Sequence, residues 1–152
     1  MEWADVIENP FLKDLPFKIE LNEWGKILMS PASNNHGMKQ YDIAKLLDTH
    51  KNSGKIIIEC SVKTAKGTKV ADIAWASDKF IAKYSDLTPY ETAPEICVEV
   101  ISPSNSKGEM QEKIGLYLDQ GAIEVWLCDL EGKITYFDAS GQIAHSIELD
   151  RK

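Results

Sequence analysis

The chain has no apolar run approaching the roughly 20 residues that a membrane-spanning helix needs, so no membrane partner is expected. Its first residues, MEWADVIENPFLKDLPF, lack a basic segment followed by an apolar one; no secretory signal is expected, and the cytoplasm is the expected location. Cysteine is scarce: Cys60, Cys97 and Cys128 are odd in number and form no C-x-x-C pair. Cys97 and Cys128 lie in apolar runs and read as small core hydrophobes in a reducing compartment, not as zinc ligands or nucleophiles. Positive charge is also short, with 17 Lys and Arg against 24 Asp and Glu, for a formal charge of −7. That excludes a protein that is basic all over and coats nucleic acid. The middle third is locally cationic, with six lysines against three acids from Lys55 to Lys83, which makes either a solvated lysine surface or a local cationic face. There is no glycine-rich phosphate loop, aromatic base-stacking platform, internal repeat, low-complexity tract or linker. Ser102, Ser104 and Ser106 have no placed histidine–acid partner for a triad; loop breaking and helix capping explain them.

What is present is the patterning of a globular chain. At 152 residues, with 43% apolar and 27% charged residues, the sequence reads as a single domain over 1–152. Its organising stretch is residues 94–128. Ile96–Ile101 is a short β-branched run that reads as a buried strand, and Ser102-Pro103 ends it. Ser106 and Glu109 make an S-x-x-E capping box, Met110, Ile114, Tyr117 and Leu118 share one helical face, and Gly121 stands where a left-handed cap is needed. Ile123–Cys128 is a second strand. Two buried strands joined by a crossover helix should be parallel. Earlier, residues 1–16 read as an extended or short helical arm with Trp3, Val6 and Ile7 free to dock. Phe17–Leu21 and Lys26–Met29 read as a hairpin, and a helix is expected over about 35–50 with Met38, Tyr41, Ile43, Ala44, Leu46 and Leu47 on its apolar face. Lys55–Val62 and Thr68–Trp75 form a second hairpin, followed by an irregular or partly helical stretch over Ser77–Thr92 with a mobile loop. Lys133–Phe137 and Gln142–Leu149 are the last strands, the final one an edge kept polar by Glu148 and the terminal Asp-Arg-Lys. The sum is an α/β (α+β) domain: a mixed sheet with an early helix and a βαβ crossover helix.

Three side chains are poorly explained as structure. Asp72, in Val70–Trp75, and Glu99, in Ile96–Ile101, are carboxylates inside apolar strands, where a charge is costly unless paired or bound to metal. The third is Lys113, midway along the crossover helix. Glu99 lies roughly 10 Å back along its strand at about 3.3 Å per residue. Lys113 lies roughly 9 Å along an oppositely directed helix at about 1.5 Å per residue. Both side chains therefore reach one height, and Asp72 joins them if its strand neighbours 96–101. Two carboxylates and an ammonium suit a hard divalent ion that acidifies water and offsets charge on a phosphoryl transition state. A buried ion-pair network is the structural alternative.

Asp72 in VADIAW, Glu99 in PEICVEVISPS, the run KIGLYLDQGAIEVWLCD and the earlier ELNEWGKILMSPASNNHG together resemble the small bacterial Uma2-type restriction endonucleases, within the PD-(D/E)XK nuclease superfamily, over roughly residues 17–137. The resemblance implies a restriction-endonuclease-like fold, dependence on Mg²⁺ or Mn²⁺, and Asp72 and Glu99 as metal ligands with the Val100 backbone carbonyl beside them. Two positions depart from the superfamily pattern. Ala71 stands where proline is usual, and Ile101 stands at the motif lysine, for which Lys113 is the geometric replacement. His36 and Glu20 fall in family-like stretches and are auxiliary candidates, each with a plainer reading as a cap or a solvent-facing strand residue. Glu59 and Lys63 are more distant ones. The implied activity is DNA endonuclease, acting as a homodimer because two strands need two sites. The alternative is a nuclease-fold binding or regulatory module with little or no turnover. Trp75 and Trp126 are expected in the core.

Overall fold

The computed structural model describes residues 1–15 and 17–151; Pro16, at the end of the N-terminal arm, and Lys152, in the polar terminus, lie outside the described residues. The arm is a short helix, α1 (Trp3–Glu8), that docks Trp3 and Val6 but leaves Ile7 exposed. β1 (Phe17–Leu21) and β2 (Ile27–Pro31) form an antiparallel two-stranded sheet. Ser33 caps α2 (Asn34–His50), its hydroxyl accepting the His36 amide. Ile43 and Leu47 of α2 are buried, whereas Met38 and Tyr41 face solvent, so its apolar face is narrower than expected.

The main sheet has six strands in sequence order: β3 (Lys55–Thr64), β4 (Gly67–Ala76), β5 (Ile96–Val100), β6 (Glu124–Cys128), β7 (Ile134–Asp138) and β8 (Gly141–Ile143). Only β5 and β6 pair in parallel, as the helix between them requires. That helix, α4 (Lys107–Asp119), begins at Ser106, whose hydroxyl accepts the Glu109 amide. The return half of the expected box is replaced, because the Glu109 carboxylate accepts from Asn105 instead. At the other end Gly121, at φ +108°, lets Ala122 N–H reach Tyr117 O and Gly121 N–H reach Leu118 O, the two bonds of a Schellman cap. A further helix, α3 (Asp78–Tyr84), opens the Ser77–Thr92 stretch, and residues 85–95 are irregular.

Helices cover both faces of the sheet. Met110, Ile114 and Tyr117 of α4 pack with Cys97 and Val125, while Ile43 and Leu47 of α2 pack with Ile73, Trp75, Val98 and Trp126. All three cysteines are free and buried, as their apolar settings imply. Among the described residues no helix is long and apolar enough to cross a membrane. The expected final strand is a correction: β8 stops at Ile143 and a 3-10 turn follows at Glu148–Asp150. Glu124, on β6 and 1% exposed, causes this by accepting Ser146 Oγ at 2.6 Å and the amides of Ile147 and Glu148 at 2.8 and 2.9 Å. Those amides serve a carboxylate and cannot serve a ladder.

One outer edge of the sheet is β3, and Glu59 within it adopts φ +56°. Ser61 and Lys63, farther along, exchange backbone bonds with Tyr90.

Candidate functional site

Strands β4 and β5 run antiparallel with Ile73 opposite Val98. Ile73 and Val98 point towards α2; the next residue along each strand, Asp72 and Glu99, therefore points to the α4 side. The two carboxylates, each 2% exposed, share one face of the sheet. From α4, Lys113 Nζ reaches Glu99 Oε1 at 3.3 Å and Glu20 Oε2, on β1, at 2.9 Å. One turn farther, Tyr117 donates its hydroxyl to Glu99 Oε1 at 2.8 Å. His36, in the first turn of α2, places Nε2 3.3 Å from Asp72 Oδ2, and the Val100 amide donates to the same oxygen at 2.7 Å. Glu20 Oε2 also accepts the Val70 amide at 2.7 Å, which ties β1 to β4.

Asp72, Glu99, Lys113, His36, Glu20 and the Val100 backbone therefore converge. Glu59 and Lys63 do not: both are exposed, and Lys63 lies beside Glu91. The sequence reading missed Lys18, whose Nζ sits 3.1 Å from Asp72 Oδ1 and 3.0 Å from Glu99 Oε2. A signal was available, because Lys18 is two residues from Glu20 and a strand returns to one face with period two. The same arithmetic at helical spacing finds Tyr117, four residues after Lys113. It also finds Gln40, four residues after His36, which donates to the Asp72 carbonyl at 2.7 Å.

The cluster holds three carboxylates, two ammoniums and one histidine. Burial alone would raise the Asp72 pKa, but Lys18, His36 and the Val100 amide outweigh it and hold that carboxyl well below its usual range. Glu20 is likewise lowered: burial opposes its charge, and Lys18 and Lys113 overcome it. Glu99 goes the other way. Its complete burial, with Asp72 and Glu20 nearby, outweighs Lys113 and Lys18 and raises its pKa. Burial disfavours the Lys18 charge, yet Glu99, Asp72 and Glu20 keep its pKa well above the usual lysine value. The hydrogen bond to Asp72 raises His36. Its Nδ1 is buried with no partner among the described residues.

A small cavity of about 40 Å³ opens on this cluster, walled by Ser30, His36, Asp72, Glu99, Val100, Asn105 and Lys113 among others. Among the described residues no group of three or more His, Cys, Asp and Glu is arranged to hold a metal. The donor chemistry nevertheless fits a hard divalent ion. Asp72 Oδ1 and Glu99 Oε2 both face one positive centre, the Lys18 ammonium, which stands in for a cation between two carboxylate oxygens.

The profile of a family described as "Uma2: Putative restriction endonuclease" matches residues 11–140. The chain belongs to the Uma2 family. That description attributes a nuclease activity to the family. Among solved structures, the crystal structure of "a putative nuclease belonging to DUF820" from Anabaena variabilis ATCC 29413 superposes with a TM-score of 0.71 at 17% identity. The match covers 99% of this chain and 91% of that one, and it fixes the fold of this Uma2 chain as restriction-endonuclease-like. No curated protein matches the sequence.

Proposed function

We propose that the protein is a divalent-metal-dependent endonuclease that hydrolyses DNA phosphodiester bonds. Asp72 and Glu99 would hold Mg²⁺ or Mn²⁺, with the Val100 carbonyl beside them. The observation that carries the reading is the pair of carboxylate oxygens, one from each of two adjacent strands, turned onto a single cationic point in a walled cavity. The chemistry supplied by the ion when bound is acidification of water and offsetting of the charge that gathers on phosphorus.

The chain's own groups do the positioning. Val100 N–H and His36 occupy Asp72 Oδ2 and leave Oδ1 turned inward; Tyr117 and Lys113 occupy Glu99 Oε1 and leave Oε2 likewise. Lys113 spends two of its three N–H groups on Glu20 and Glu99 and has one left to orient the attacking water, the role for which Ile101 has no group. Glu20 acts by holding Lys113, and His36 by holding Asp72. Hydrolysis then adds hydroxide to phosphorus, breaks one P–O bond and leaves a proton on the departing oxygen.

With Mg²⁺ or Mn²⁺, purified protein should nick supercoiled plasmid, and Asp72→Asn, Glu99→Gln and Lys113→Met should each slow nicking by about 100-fold or more. Variants that cut as fast as the parent would assign the activity to a contaminant. The second reading is a binding or regulatory module, favoured by Ile101 at the motif-lysine position and by the near-complete pairing of the cluster's charges. Retention of DNA without any cutting in either metal would decide for it.

A further inference from the structure

Six of the cluster's contacts use Asp72 Oδ2, Glu99 Oε1 or Glu20 Oε2. The other two inward oxygens, Asp72 Oδ1 and Glu99 Oε2, have one partner among the described residues, the Lys18 ammonium. These are the atoms on which the metal reading depends. Two desolvated carboxylates side by side require a cation, since leaving either unpaired costs several kcal/mol. An ammonium and a divalent ion cannot share one place about 3 Å from both, because like charges repel strongly in such a low-dielectric setting. Lys18 and the metal are therefore mutually exclusive.

Lys18 has somewhere to go. It lines the site cavity and also a separate groove of about 530 Å³ between α1, β1, β3 and residues 86–90, where Glu59 and Asp86 sit. Its flexible four-carbon stem borders both spaces.

We propose that Lys18 is an exchangeable counter-ion: it occupies the seat between Asp72 and Glu99 in the metal-free protein and yields it to a divalent cation by turning into the adjoining groove. The inference rests on the metal reading above. It makes the resting protein stable without metal and sets a threshold of cation concentration for activation.

The test is Mn²⁺ binding to the full chain, followed by electron paramagnetic resonance of free Mn²⁺ and by thermal melting with Mn²⁺ or EDTA. The proteins are the parent, Lys18→Gln, Lys18→Met and Asp72→Asn. Expected is one Mn²⁺ per parent chain, lost in Asp72→Asn, with both Lys18 variants binding at least about tenfold more tightly. Expected too is a larger Mn²⁺-induced rise in their melting temperature than in the parent's. A Lys18 variant that is unfolded in EDTA and folds in Mn²⁺ supports the same exchange. If the parent binds Mn²⁺ through Asp72 but the Lys18 variants bind it equally or more weakly, the exchange is wrong and the metal site stands. If no protein takes up Mn²⁺, or Asp72→Asn binds it unchanged, the metal reading fails and the exchange with it.

Discussion

At the residue scale, the neighbourhood of Asp72 makes stability depend on pH through His36. The bond to Asp72 raises the His36 pKa above 6.5. A group whose folded pKa is raised contributes stability that is complete below its unfolded value and is lost as pH climbs through the folded one. The melting temperature in EDTA should therefore exceed that of His36→Asn most at about pH 5, and the gap should shrink towards about pH 9. A gap that is constant across that range would mean the imidazole merely packs. Asp72 and Glu99 were legible because each breaks an apolar strand, and Lys113 because the crossover helix carries it to the height of Glu99. Lys18 sits in a weakly alternating strand where a lysine is ordinary, so nothing local marked it. Only its position relative to Glu20, and the demand of two buried acids for a cation, points to its place between them.

At the element scale, the site depends on how the β1–β2 hairpin is seated, because β1 delivers both Lys18 and Glu20. The turn between β3 and β4 comes against that hairpin at Gly67, which has φ +88° and backs onto the carbonyls of Leu21 and Asn22. A Cβ there collides with backbone that cannot rotate away. Gly67→Ala should cost about 1 kcal/mol or more in urea unfolding and displace the hairpin, so that nicking falls even though no site residue is altered. Unchanged stability and activity would show the hairpin to be more loosely held than its Val70–Glu20 bond suggests. The strand–helix–strand unit was the most legible element, since β-branched runs, a serine cap and a C-terminal glycine all agree. The last strand was misread because its fate is decided by Glu124, a tertiary partner 22 residues before Ser146. The apolar face of α2 was overdrawn for a related reason: periodicity registers Met38 and Tyr41 as apolar, but the core beneath meets Ile43, Ala44, Leu46 and Leu47 and leaves those two in solvent.

At the scale of the whole molecule, we propose that 1–152 is one cooperative unit and that cutting both strands requires two copies. Sedimentation equilibrium should give twice the chain's mass of 17.0 kDa, and calorimetry a single transition. A monomer that only ever nicks would limit the protein to one strand. A copy that pairs in a defined way must avoid pairing indiscriminately, and the edge strand β3 carries three consecutive isoleucines, Ile56–Ile58, the last of them exposed. The left-handed turn of the backbone at Glu59 breaks the flat row of amides beside them, and Tyr90 caps the remainder. Crowded neighbours thus meet a ribbon whose straight length stops at Ile58, and an isoleucine-rich edge is interrupted by the awkward posture of a single acidic residue.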